Sequence, residues 1–161
     1  MFKTNFYQVR WSWPTDIELW LIKMCENKTS LNLPCGLSYI GTIRGDMDPS
    51  TDPDIICDFR HAPFRAGSFD IVICDPPFSV YNKIGWVHQL ADLTRDKIIF
   101  CGPMRRIGLK GFKPSYIITS GGAAFFLRLW QIFRRKPTNF TLDDFNHKKY
   151  NKYTHLDNIE S

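Results

Sequence analysis

The sequence predicts an α/β domain: a mostly parallel, twisted sheet with helices on both faces. Three observations predict it. Residues 69–74, Phe-Asp-Ile-Val-Ile-Cys, form an apolar, β-branched run broken only by Asp70, the pattern of a strand buried on both faces of a parallel sheet. Three successive short apolar runs end in an acid, Asp46, Asp58 and Asp75. In a parallel sheet those ends share one edge, the edge at which open α/β sheets bind ligands. Two further β-rich runs, 114–119 and 124–133, are separated by Ser120-Gly121-Gly122, a joint that favours a hairpin.

The chain has 161 residues, 43% hydrophobic and 15% aromatic, enough for one globular domain with its own core. That domain is expected over residues 1–140, with a polar tail over 141–161. No apolar run reaches membrane-spanning length and the N-terminus lacks a signal-peptide pattern, so no membrane partner and a cytoplasmic location are expected. Cys25, Cys35, Cys57, Cys74 and Cys101 form no Cys-x-x-Cys pair and are read as free thiols in a reducing compartment. His61, His88, His147 and His155 have no metal-ligand spacing, and no metal is expected. The net charge of +5 and pI near 9.0 permit a polyanionic partner without requiring one.

Taken in order, the chain opens with Phe2, Phe6, Tyr7, Trp11 and Trp13. These aromatics either pack or line a pocket. Pro14-Thr15-Asp16 starts a helix over about 15–27, with Ile17, Trp20, Leu21 and Met24 at helical spacing. Ser30 to Cys35 is the first strand, closed by Gly36-Leu37-Ser38, a turn that lets a ligand approach the backbone. The second runs through Thr42-Ile43-Arg44-Gly45 to Asp46-Met47-Asp48-Pro49; an acid there can accept from both hydroxyls of a ribose, or simply sit in a solvated turn. The third, Asp54 to Cys57, ends in Asp58-Phe59. After the central strand, residues 80–93 carry Tyr81, Ile84, Val87, His88, Leu90 and Ala91 at roughly helical spacing. Lys97 to Cys101 is the fifth strand. The run 125–133 has helical composition, but its Phe, Trp and Ile favour strand.

The central strand stops at Asp75-Pro76-Pro77-Phe78. Neither proline can donate a ladder bond, and each restricts the residue before it, so the tetrapeptide is stiff and extended. It groups a carboxylate, the Pro76 carbonyl and an aromatic ring. Asp75 and that carbonyl can accept N–H bonds from a flat molecule bearing an amino group while Phe78 stacks on its face.

These features resemble the class I S-adenosylmethionine-dependent methyltransferases. Residues 31–41, LNLPCGLSYIG, look like their first glycine motif; IRGDMDP at 43–49 like the second-strand acid; CDFRHAPF at 57–64 like the adenine-contacting loop; and FDIVICDPPF at 69–78 like the catalytic motif of the amino-methyltransferases. The resemblance implies a Rossmann-like, seven-stranded sheet in the order 3-2-1-4-5-7-6. It implies S-adenosyl-L-methionine as cofactor, held by Asn32, Pro34, Gly36, Ser38, Asp46, Met47, Asp58, Phe59 and Asp75. It implies catalysis by Asp75, Pro76, Pro77 and Phe78. The reaction it implies is methylation of an exocyclic amino nitrogen of a nucleic-acid base, adenine N6 first, with guanine N2, cytosine N4 and a protein amide behind it.

The sequence departs from the family pattern at Asn32, where many members have an acid, at Pro34, where many have glycine, and at Ser38, where a second glycine is common. Ten positions separate Gly36 from Asp46, so the first crossover helix is expected to be shortened or missing. Arg105, Arg106, Lys110 and Lys113, after the fifth strand, are expected on the edge that carries the active site, where they would grip phosphates of DNA or RNA. Nothing large is inserted between the motifs, so the chain is expected either to act on exposed bases, to borrow target recognition from a protein partner, or to recognise a small target through its aromatic N-terminus. The alternatives are methylation of a protein amide or small molecule, an inactive methyltransferase-fold subunit, or a nucleotide-binding module without chemistry.

Overall fold

The computed structural model describes residues 13–77, 80, 84–102, 107–120 and 127–137. Seven strands form one sheet: β1 (Ser30–Asn32), β2 (Ile43–Asp46), β3 (Ile55–Ile56), β4 (Phe69–Cys74), β5 (Thr94–Gly102), β6 (Phe112–Ser120) and β7 (Leu127–Arg135). Their order is β3-β2-β1-β4-β5-β7-β6, as the resemblance implies. The pairs from β3 to β5 are parallel; β7 runs antiparallel to both β5 and β6. The second β-rich run is thus strand rather than helix, and the hairpin joint at 121–126 lies outside the described residues, as does the tail at 141–161.

β4 shows why its sequence is apolar throughout. Side chains alternate across a sheet. Ile71 and Ile73 pack with Ile99, Cys101 and Trp130 under helix α1 (Thr15–Cys25), while Val72 and Cys74 pack with Ile98, Phe100 and Phe133 under helix α2 (Val87–Leu93). The one polar residue, Asp70, closes the amino edge. Thr29 donates to its Oδ2 from N–H at 2.9 Å and from Oγ1 at 2.7 Å, and Arg95 Nε donates to Oδ1 at 3.2 Å. These bonds, those of Thr29 foremost, hold the Asp70 carboxyl below its usual range.

α1 buries Ile17 and Leu21, carries acids in its first turn and Lys23 in its last, and ends two residues before the expected boundary. Asn27 just beyond it takes φ 56°, a left-handed conformation that no helix continues. α2 is shorter than expected. It begins at Val87, after a 3₁₀ turn over Ile84–Trp86; residues 81–83 of the expected helix are not among those described.

The first crossover indeed has no helix, and the reduction goes further than expected. The β2–β3 connection holds only the 3₁₀ turn Pro49–Thr51, and the β3–β4 connection only Phe59–His61. Side-chain and backbone bonds replace the missing helices as fasteners. On the other side of the sheet, Arg135 at the end of β7 donates through Nη2 to the carbonyls of Ala91 and Thr94 at 2.6 and 2.7 Å, and its guanidinium lies 4.7 Å from the Phe112 ring centre. It thereby caps α2 from a neighbouring strand. Arg135→Ala is expected to cost about 1–2 kcal/mol, the range for charge-assisted bonds at a partly exposed site, read as a lower urea midpoint at unchanged slope.

Candidate active site

Parallel pairing brings the carboxyl ends of β1, β2, β3 and β4 to one edge, and with them Asn32, Asp46, Asp58 and Asp75. β1 lies between β2 and β4, so the glycine turn after β1 sits between Asp46 and Asp75.

The turn is stapled to the second strand. Gly36 N–H donates to Asp46 Oδ2 at 2.8 Å, Asp48 N–H donates to Asp46 Oδ1 at 3.0 Å, and Cys35 N–H donates to the Gly45 carbonyl at 2.8 Å. Gly36 takes φ +51°, and a Cβ placed on it would meet nothing within 4 Å. The backbone here is therefore both left-handed and open to a ligand. Gly45 has the opposite reason for being glycine: a Cβ there would stand 2.6 Å from Leu33 Cδ1.

Asn32 is fully buried; its Nδ2 donates to the Ile40 carbonyl at 3.0 Å, which ties down the loop replacing the first helix, and its Oδ1 has no partner among the described residues. Ser38 Oγ accepts from Ile40 N–H at 3.2 Å in the same loop. Pro34 is half-buried and Met47 is exposed. The thiols of Cys35 and Cys57 are pushed up, mainly by burial, and then by the Asp46 charge for Cys35 and by Asp58 and Asp46 for Cys57. Both carboxylates therefore act on one small region. All five cysteines are free thiols.

The third-strand acid is engaged locally. Asp58 Oδ1 accepts from Arg60 N–H and Nε, both at 2.9 Å, and Oδ2 accepts from Arg60 Nη2 at 2.6 Å. Those bonds lower its carboxyl to about 2. Phe59 follows Asp58. It is buried in the core, edge-on to Trp86 at 4.8 Å and 72°. That packing accounts for its apolarity. Trp86, which carries no signal in the sequence pattern, is itself buried, and its Nε1 has no partner among the described residues.

At the fourth strand end, Asp75 is half-buried, Pro76 buried and Pro77 exposed. Phe78 lies outside the described residues. Asp75 Oδ2 accepts a 2.7 Å bond from Trp13 Nε1, across 62 positions of sequence. Trp13 precedes α1 and packs edge-on to Trp130 of β7, at 5.8 Å and 77°. Of the amino-terminal aromatics, Trp13 is the described one, and it belongs both to the core and to this edge.

The basic residues divide. Arg105 and Arg106 are not among those described; they follow Gly102, where β5 ends at the candidate site. Lys113 is elsewhere. It pairs across the sheet with Arg134, which pairs with Lys97 near the start of β5. Lys97 and Gly102 are separated by about 17 Å of extended strand. The chain crosses the sheet between β5 and β6, with Ile107 and Leu109 buried and Ile107 N–H held by Gln131 Oε1 at 2.9 Å. Lys110 precedes Gly111, whose carbonyl accepts from Lys136 N–H at 2.8 Å beyond the end of β7. Lys110 and Lys113 thus belong to the amino edge, which corrects their expected position.

No protein-family model matches the sequence, and no curated protein matches it. Solved structures do resemble the fold. One is described as "Putative methyltransferase yhhF from Escherichia coli": TM-score 0.50, 11% identity, covering 76% of this chain and 86% of that one. Another is described as "putative methylase HI0767 from Haemophilus influenzae": TM-score 0.50, 12% identity, covering 74% and 94%. A third is the PH0226 protein from Pyrococcus horikoshii OT3: TM-score 0.52, 12% identity, covering 74% and 88%. At such identities the likeness is one of fold, and the chain has the Rossmann-like fold of those proteins.

The Asp58–Arg60 pair gives a pH prediction. The folded carboxyl titrates below the unfolded one, so its contribution is present above about pH 4 and is lost as pH falls towards 2. Solvent limits that contribution to about 1 kcal/mol or less. In Arg60→Ala the Asp58 carboxyl should return to the ordinary carboxylate range in a carbon-13 titration; an unmoved titration would mean that Arg60 is not its partner in solution.

Proposed function

We propose that this chain is an S-adenosyl-L-methionine-dependent N-methyltransferase acting on an exocyclic amino nitrogen of a nucleic-acid base, adenine N6 first. The observation that carries the reading is the neighbourhood of two features on one sheet edge: the open Gly36 turn bonded to Asp46, and the Asp75-Pro76-Pro77 end of β4.

The residues fit the cofactor. Gly36 leaves space that a side chain would fill, Asn32 keeps a buried oxygen without a partner among the described residues, and Asp46 has lone pairs beyond the two backbone bonds it accepts. Asp46 would accept the ribose hydroxyls, Met47 would lie against the adenine, and Asn32, Pro34, Gly36 and Ser38 would border the methionine part. Asp58 would contribute less, because Arg60 already occupies its carboxylate. When bound, the cofactor supplies an electrophilic methyl group.

The chain's own part is to prepare the nitrogen. The lone pair of an exocyclic amine is delocalised into its ring. Asp75 and the Pro76 carbonyl would accept its two N–H bonds, favouring a pyramidal nitrogen whose lone pair points away from the ring. Phe78 would stack on the base, a contact on the order of 1–3 kcal/mol. Holding two reactants in order supplies roughly 7–11 kcal/mol of a barrier. A base within a duplex would first have to be flipped out.

The charge supports a polyanionic partner. Lys97, Arg134 and Lys113 face one another across three strands, an arrangement that like charges disfavour. Lys97 is paired with Asp96 at 2.7 Å, whereas Lys113 and Arg134 are exposed and have no ion-pair partner among the described residues. A phosphate backbone would relieve that repulsion. A protein partner could add target recognition.

Two experiments test the proposal. Asp46→Ala should weaken cofactor binding by about 1.5–3 kcal/mol in calorimetry, whereas Asp75→Ala should abolish turnover and leave that affinity nearly unchanged. Cofactor binding that is absent in the wild type, or unaffected by Asp46→Ala, rejects the cofactor placement; a mutant at position 75 that keeps most of its kcat removes Asp75 from the chemistry. Separately, changing Lys113 and Arg134 together to alanine should reduce the salt slope of nucleic-acid binding by up to about two contacts. An unchanged slope would assign the row to solvent.

A further inference from the structure

The geometry points to Trp13 as the positioning residue of Asp75. We infer that its indole N–H holds one carboxylate oxygen and so fixes the plane in which Asp75 meets the amino group to be methylated. This rests on the amino-methylation reading of the site.

The donor is well suited to that role. Indole Nε1 can only donate, so it cannot reverse its bond when a substrate arrives. Its 2.7 Å distance to Asp75 Oδ2 is in the range of charge-assisted bonds. The ring itself cannot easily move. Trp13 is 8% exposed and stands edge-on to Trp130, which is 1% exposed and is also edge-on to Trp20 at 6.0 Å and 79°. Trp130 lies in β7 opposite Cys101 of β5, so the stack is built on the sheet. Next to Trp13, the Pro14 carbonyl accepts the N–H groups of Ile17 and Glu18, both at 3.0 Å, which locks the residue to the first turn of α1.

The acceptor needs such a partner. Cys74 before Asp75 is buried in the sheet and Pro76 follows it, so the backbone is stiff and the remaining freedom is in the two side-chain torsions. A carboxylate that rotates presents its lone pairs in the wrong plane, and misplacement of that kind is costly in a positioned reaction.

Two other roles make different predictions. A pseudo-substrate would compete with the amine, yet a ring packed in the core is not a displaceable plug. A purely structural tether would stabilise the fold without concern for which oxygen it holds.

The test is Trp13→Phe, which keeps a ring against Trp130 and removes the donor. Label transfer from methyl-labelled S-adenosyl-L-methionine to an adenine-containing oligonucleotide should fall in kcat by roughly 10- to 100-fold, the loss expected for one charge-assisted bond. Cofactor affinity should stay within about twofold, and Trp13→His, which restores a ring N–H, should recover part of kcat. In the wild type, the indole proton of Trp13 should appear downfield in a nitrogen–proton correlation spectrum and move upfield in Asp75→Ala, whatever the activity. An unchanged or raised kcat in Trp13→Phe overturns the inference, as does a parallel loss of cofactor affinity or an indole resonance indifferent to Asp75. A wild type that transfers label to no acceptor defeats the amino-methylation reading instead, and this assignment with it.

Discussion

The ladder between β1 and β4 is the contact on which the rest of the structure depends. Leu31 pairs with Val72 and Asn32 with Ile73, and the Leu33 N–H continues the bonding to the Ile73 carbonyl at 2.9 Å. Because this pair is parallel, the chain must leave both strands at the same edge. That edge receives the Gly36 turn from β1 and Asp75 from β4. The pairing needs a strand apolar on both sides, and β4 provides one, with α1 over Ile71 and Ile73 and α2 over Val72 and Cys74.

Among the described residues, short loops rather than helices flank the β2 and β3 strands. Where crossover helices would ordinarily bury the strands, there are short loops, and Ile56 on the edge strand is 63% exposed. The loops are ordered by polar bonds instead: Asn32 to Ile40, Gly36 and Asp48 to Asp46, Arg44 to Asp54, Arg60 to Asp58. Each is local, and most join residues within about a dozen positions. This economy places functional and structural demands on the same groups. Asp46 fastens the turn it would share with a cofactor, and Asp58 is held by the arginine two residues on.

Much of this was legible in the chain itself. β4 and its stop could be read because a run apolar on both faces followed by two prolines has few other conformations. The strand order came with the motif resemblance rather than from periodicity. Boundaries were less legible: Leu33-Pro34-Cys35 is apolar enough to extend β1, but beyond Asn32 the backbone bonds leave the ladder, Cys35 turning to Gly45. The burial of Phe59 against Trp86 was not legible, because an aromatic beside a strand-end acid looks the same in sequence whether it packs in the core or at the surface. Lys110 and Lys113 were misplaced because the chain crosses the sheet before β6 begins, and only strand register reveals that return. Trp13 meeting Asp75 depends on a tertiary contact that no local pattern announces.

Trp13, a proline-stiffened strand end and an acid-stapled glycine turn therefore converge from distant parts of the chain on one edge of the sheet. On the proposed function, this edge would transfer a methyl group to an amino nitrogen of a base. The most direct measurement incubates the protein with methyl-tritiated S-adenosyl-L-methionine and separate pools of DNA, RNA and protein, followed by nucleoside analysis. The account predicts tritium in nucleic acid, recovered as N6-methyladenine. Label confined to protein, or found in none of the pools, would contradict it.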